Sequence, residues 1–109
     1  MKLKFNEASI LDNGTAITTA GVALDFSGKD DRTLFLITNG DSGAVTLTVL
    51  KGNGLQATED YTLSVAAGKT VAVTLESGKF KNVSGVNKDK VVFKASKASS
   101  LTVNTIELP

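Results

Sequence analysis

Along most of the chain, apolar residues fall on every second position. Val45, Leu47 and Val49 alternate with Thr46 and Thr48. Val71, Val73 and Leu75 alternate with Ala72 and Thr74, and Leu101 and Val103 with Thr102 and Asn104. A period of two with threonine on the other parity is the mark of an antiparallel strand with one face in a core and one in water. Leu34-Phe35-Leu36-Ile37 is apolar on both parities, as suits a central strand covered on both sides or one whose outer face meets another subunit. No segment sustains the i, i+3, i+4, i+7 stripe of an amphipathic helix, so no long helix is predicted.

Turn residues punctuate these runs. Asn39-Gly40-Asp41-Ser42-Gly43 separates a strand near 33–38 from one near 44–50, which Gly52-Asn53-Gly54 ends. Ala66-Ala67-Gly68-Lys69 reads as a hairpin turn with Gly68 free to take a positive φ. Asp12-Asn13-Gly14 precedes a weaker strand near 16–24, and turns at 77–78 and 84–87 bracket a short piece around Phe80. The expectation is a single all-β domain over residues 1–109, with seven to eight short strands in an antiparallel two-sheet β-sandwich, Ig-like or jelly-roll-like. Two packed sheets are the economical way to dry this many apolar faces. The predicted inward set is Leu34, Leu36, Val45, Leu47, Val49, Leu63, Val65, Val71, Val73, Leu75, Phe93, Leu101 and Val103. Phe35 and Ile37 then face outward as a patch that demands a partner.

Composition removes several chemistries. The 109 residues contain no Cys and no His, which excludes disulfides, Cys/His zinc sites, thiol nucleophiles and imidazole relays. Gly68-Lys69-Thr70 resembles the end of a phosphate-binding loop, but Leu63 stands where the first glycine belongs and a strand follows. The acid pairs Asp30-Asp31 and Glu59-Asp60 lie in polar stretches and read as turn residues, since neighbours in a strand point to opposite faces. No calcium-loop pattern is present. The reading is therefore a non-enzymatic protein without cofactor or metal.

The formal net charge is +1, which steers the chain toward neither nucleic acid nor anionic membrane. Its distribution is uneven. Residues 1–78 hold six bases and nine acids, whereas residues 79–109 hold six bases and two acids. Lys79, Lys81, Lys88, Lys90, Lys94 and Lys97 supply the excess, either as solvated edge and loop residues or as a patch for an acidic partner. Met1–Phe5 lacks the apolar run of a secretion signal, and no stretch approaches the ~20 residues that span a bilayer. A soluble, non-secreted product is expected. Residues 1–10 read either as an extended arm or as an edge strand that places Leu3 and Phe5 in the core.

The ordered set Arg32-Thr33-Leu34-Phe35-Leu36-Ile37-Thr38-Asn39-Gly40, Val45–Val49, Tyr61-Thr62-Leu63-Ser64-Val65-Ala66-Ala67-Gly68, a further Val/Leu strand and Gly78-Lys79-Phe80 resembles a group of small head proteins of tailed bacteriophages, the capsid decoration or auxiliary head proteins. The likeness covers residues 30–82, with Lys79 where the group often has arginine. It implies a β-sandwich that sits on the outer surface of the virion, binds coat protein and associates with itself, a homotrimer above all. No catalytic residue comes with it. The interface candidates are Leu3, Phe5, Phe35, Ile37 and the six lysines from Lys79 to Lys97. The alternative is an Ig-like or carbohydrate-recognising adhesion module of a phage fibre or bacterial surface protein. The absence of Trp and the single Tyr count against that alternative.

Overall fold

The computed structural model describes residues 9–26, 32–98 and 100–108. Eight strands run in the order β1 (Ser9–Ile17), β2 (Val22–Asp25), β3 (Thr33–Asn39), β4 (Val45–Val49), β5 (Tyr61–Val65), β6 (Thr70–Val73), β7 (Lys90–Ala95) and β8 (Leu101–Glu107). One helical turn, α1 (Ser77–Phe80), precedes β7. The strands form two antiparallel sheets of four, ordered β1-β8-β3-β6 and β2-β7-β4-β5.

The pairing is nested. β1 pairs β8, β2 pairs β7, β3 pairs β6 and β4 pairs β5, so that the chain behaves as one long hairpin wound around itself. Cross-links β3·β8 and β4·β7 close the two sheets. That is the topology of a jelly roll. An Ig-like division into four and three strands is not what these residues form.

The core lies between the sheets. Phe35 sits at its centre, edge-on to Phe26 at 5.6 Å between ring centroids and tilted against Phe93 at 5.0 Å. Such ring pairs contribute about 0.5–1.5 kcal/mol beyond the area they bury. Ile17, Leu24, Ile37, Leu47, Val49, Val65, Val91, Leu101 and Val103 are fully buried around them. Leu63 and Val71 pack against this cluster from its margin.

The parity expected for β3 is reversed. Phe35 and Ile37 are fully buried, and Leu34 and Leu36 occupy the outer face, half-buried. Alternation was silent in a run apolar at every position, and the flanks settle it. Asn39 shares the inward parity, and its buried amide donates to the carbonyls of Val65 (2.9 Å) and Gly43 (3.0 Å), a bridge between the two sheets. Phe35 and Ile37 are therefore core residues, not a partner surface.

Further expectations are corrected. The strand near 16–24 is broken at 18–21, where Thr18 and Gly21 bond each other through the Thr18 hydroxyl and chain direction changes sheets. The turn expected at Asp12-Asn13-Gly14 lies within β1, whose register against β8 shifts on both sides of Asp12. Gly14 takes φ +63° there, and its N–H donates to the side-chain oxygen of Asn104. The piece around Phe80 is helical, held by Phe80 N–H to Glu76 O and Lys81 N–H to Ser77 O. The turn at Ala66-Ala67-Gly68-Lys69 forms, with Gly68 at φ +68°, but the hairpin expected there does not, because the turn carries the chain from one sheet to the other and β5 pairs β4 while β6 pairs β3.

Candidate interaction surface

Because the strands alternate direction, the connections sort to two ends of the sandwich. Residues 18–21, 40–44, 66–69, 96–98 and 100 lie at one end. Residues 26, 32, 50–60 and 74–89 lie at the other, where β1 begins and β8 finishes.

At this loop end, residues 50–60 form a closed excursion. The Asp60 carboxylate accepts from Lys51 N–H at 2.8 Å and draws its base together. Its tip is fastened to the 77–90 segment. Gly52 N–H donates to Lys79 O at 2.8 Å, Val83 N–H donates to the Asn53 side-chain oxygen at 2.7 Å, and the Asn53 amide donates to Ser84 O at 3.1 Å. Gly52 is required by this contact. A Cβ there would meet Lys81 O closer than any real Cβ approaches a carbonyl oxygen. The 82–90 segment closes on itself through Asn82 N–H to Lys90 O and Asp89 N–H to Asn82 O.

The fastened loops hold three apolar side chains in water. Leu55 and Val86 are fully exposed and Val83 is half-exposed, with its Cγ1 3.6 Å from where a Cβ on Gly54 would stand. Isolated exposed aliphatics are ordinary. Here three of them stand on two mutually bonded loops, and Lys79, Lys81 and Lys88 belong to the same 77–90 segment as Val83 and Val86. The sequence pattern missed Leu55, Val83 and Val86 because each stands alone among Gly, Asn and Ser, where no strand periodicity can flag it. Apolar residues inside turn grammar are the signal that could have found them.

The six lysines do not form one patch. Lys79 lies 3.8 Å from Glu76 across one helical turn, and the Lys81 ammonium sits 5.2 Å from the Phe26 ring centroid. Lys90 pairs with Asp25 at 3.2 Å across β2 and β7. Lys94 lies on the outer face of its sheet, against Gly21. About 17 Å of strand, at ~3.3 Å per residue, separates Lys90 from the turn that carries Lys97. At that opposite end Lys97 binds Asp41 at 3.0 Å. The ammonium of Lys97, with the Gly43 N–H behind it, holds the Asp41 carboxyl below its ordinary 3.8. Among the described residues Lys88 and Lys94 make no ion pair. Leu3 and Phe5 lie outside the described residues.

Two other features of the surface bear on recognition. The outer face of the first sheet carries a short apolar strip in which Leu34 lies opposite Ile106, Ile106 opposite Ile10, and Leu36 opposite Ala72. Between edge strands β5 and β6 a cleft of about 630 Å³ opens. Leu63, Val71, Val73, Leu75 and Phe80 make its floor, and Glu59, Asp60, Glu76 and Lys79 its rim. Among the described residues no cluster of three or more acidic side chains could hold a metal ion, and no helix is long and apolar enough to cross a membrane. No family model, curated protein or solved structure matches this chain.

Proposed function

We propose that the protein is a non-enzymatic structural protein of a phage virion that decorates the outer surface of the capsid by binding coat protein. The loop end is the contact, with Leu55, Val83 and Val86 entering an apolar depression and Lys79, Lys81 and Lys88 meeting acidic groups around it. The observation that carries this reading is an apolar trio held in water by loops bonded to each other through backbone and Asn53. Such loops lose little freedom on binding. The jelly roll supports it as an architecture used by capsid proteins, although lectin domains use the same winding. The likeness of residues 30–82 to the decoration group names coat protein as the partner. Repetition over a shell then supplies avidity that a contact of this size lacks alone.

Sedimentation of the purified protein with undecorated heads tests the proposal. The protein is expected to travel with the heads, and Leu55→Asp with Val86→Asp to remain in the supernatant. The double variant should keep its unfolding free energy to within about 0.5 kcal/mol, as expected for exposed positions. Reversing Lys79 and Lys88 to glutamate should weaken binding most at low salt, where such charges are least screened. Wild type that stays in the supernatant at every salt concentration would end the proposal.

The cleft beside Tyr61 and Phe80 favours a second reading, a carbohydrate-recognising module. Its rim offers carboxylates to sugar hydroxyls, and Tyr61 is 44% exposed. Binding on a glycan array, lost on Tyr61→Ala, would favour it over capsid decoration.

A further inference from the structure

The cleft between β5 and β6 is the open side of the jelly roll. Both strands are the last in their sheets, so each has a neighbour on one flank only, β4 for β5 and β3 for β6. Among the described residues no strand pairs with their other flanks, five residues long on one side and four on the other. Neither flank carries the lysine or proline that commonly blunts an edge, since Tyr61-Thr62-Leu63-Ser64-Val65 and Thr70-Val71-Ala72-Val73 contain neither. Between them the floor is apolar, and Leu63 and Val71 are only partly covered. Three carboxylates, Glu59, Asp60 and Glu76, stand on the rim with one cation among the described residues lining it, Lys79, which is itself 3.8 Å from Glu76.

A ligand for this cleft must be extended, to use the free edges. It must also be apolar on one side and cationic on the other. An added strand provides both, because its side chains alternate. Lys2-Leu3-Lys4-Phe5 has that composition and that alternation. We infer that the cleft between β5 and β6 receives residues 2–5 of a second copy of this chain as an added strand, with Leu3 and Phe5 on the apolar floor and Lys2 and Lys4 toward Glu59, Asp60 and Glu76.

The second copy, not the same one, follows from reach. β1 begins at Ser9, on the edge of its sheet three strands from β6. At about 4.8 Å per strand that is about 14 Å before the cleft is entered. The four steps from Ser9 to Phe5 span at most about 14 Å when fully taut, which leaves nothing for turning into the gap between the sheets. The donor and acceptor surfaces differ, so the contact is heterologous and repeats from copy to copy until it closes as a ring. It stands without the coat-protein reading, and its test uses the purified protein alone.

Analytical ultracentrifugation of the full chain is expected to show mass rising above 11.3 kDa with concentration. Leu3→Asp with Phe5→Asp removes the donor, and Glu59→Lys with Glu76→Lys reverses the rim. Each pair should weaken self-association at least tenfold. Mixed together, the two variants should form a one-to-one complex and nothing larger, because one retains a working cleft and the other a working donor. The cysteine-free background allows a second check. Phe5→Cys on one copy and Val71→Cys on another should give an interchain disulfide under mild oxidation, and no intrachain bond when both changes share a diluted chain. Wild type at 11.3 kDa at all concentrations, or a donor variant that still associates, overturns the inference. So does cleft-variant loss of glycan or head binding in a protein that remains monomeric, which would give the cleft to another ligand.

Discussion

At one end of the sandwich, connections of four or five residues join the strands. At the other, the described connections 50–60 and 74–89 are long, the last with α1 inside it. The short turns are tied to one another across the two sheets. Asn39 bridges β3 to β5, Gly40 N–H donates to Ser100 O, Asn39 N–H to Lys69 O, and the Ser96 hydroxyl accepts from Thr46 N–H. The long loops also bond to each other, yet they hold Leu55, Val83 and Val86 in water while the turn end presents polar side chains. The comparison teaches a division of labour within one winding. Bonds at the turn end fix how the sheets face each other, and bonds at the loop end fix the shape of a surface that contributes little to the core.

The largest effect should come from the turn end. Asn39→Ala strands the buried Val65 carbonyl together with Gly43 O and Asp41 N–H, all partners of the lost amide. At roughly 1–3 kcal/mol for a buried group left without a partner, the expected loss is about 3 kcal/mol, read from the midpoint of urea unfolding. It should be global, lowering protection of core amides in both sheets. Gly52→Ala strikes the loop end by driving a Cβ into Lys81 O. A cost of about 2 kcal/mol is expected, with faster hydrogen exchange at the Gly52 and Lys81 amides and undisturbed protection at Ile37 and Val103. If Gly52→Ala destabilises the whole domain as much as Asn39→Ala does, the two ends are not separable and the division fails.

The turn end is also where the sequence was most legible. Gly68 and the Asn39–Gly43 run carry short-range turn chemistry, and such signals depend on nothing distant. The strands with strict alternation follow the same logic, and Val45, Leu47, Val49, Val65, Val73, Leu101 and Val103 are buried as their parity requires. The parity of β3 was not legible, because which face meets Phe26 and Phe93 depends on residues distant in sequence. Ile17, Leu24 and Phe26 escaped for a related reason, since β1 is irregular and Phe26 belongs to no strand. The choice of a jelly roll over an Ig-like sandwich rests on long-range pairing such as β1·β8, and local pattern is blind to that. The loop-end surface was least visible of all. The lysine count pointed to residues 79–97, and three of its six members are paired with Glu76, Asp25 and Asp41.

A third change sharpens the comparison from the region between the ends. Thr105 faces the core opposite Phe35 and beside the irregular stretch of β1, and its hydroxyl is buried without a partner among the described residues. Valine has nearly the same shape and no group to desolvate, so Thr105→Val should raise stability by about 1 kcal/mol. Thermal unfolding of both proteins at one pH measures it. A loss would mean that the hydroxyl has a partner in solution, and the mid-strand irregularity would then be as well satisfied as either end.

The smallest effect concerns the ion pair at the turn end. In the folded protein the Asp41 carboxyl titrates below its ordinary 3.8, chiefly through its hydrogen bond from Lys97 and then through that from Gly43 N–H. A carboxyl whose folded value is depressed adds stability that is complete above the unfolded value and disappears as pH falls through the folded one. Lys97→Met should therefore lower the unfolding temperature slightly at about pH 6, and the difference should shrink as pH falls toward about 2 through the depressed range in which Asp41 takes up its proton. The remaining bond from Gly43 stays in the variant, so part of the acid dependence survives the substitution. Added salt should shrink the difference at the higher pH, because Lys97 is 61% exposed and an exposed pair is readily screened. A gap that persists unchanged to about pH 2 would show Lys97 acting through its aliphatic stem, and the turn end would then owe its rigidity to Asn39 and the backbone bonds with no share for charge.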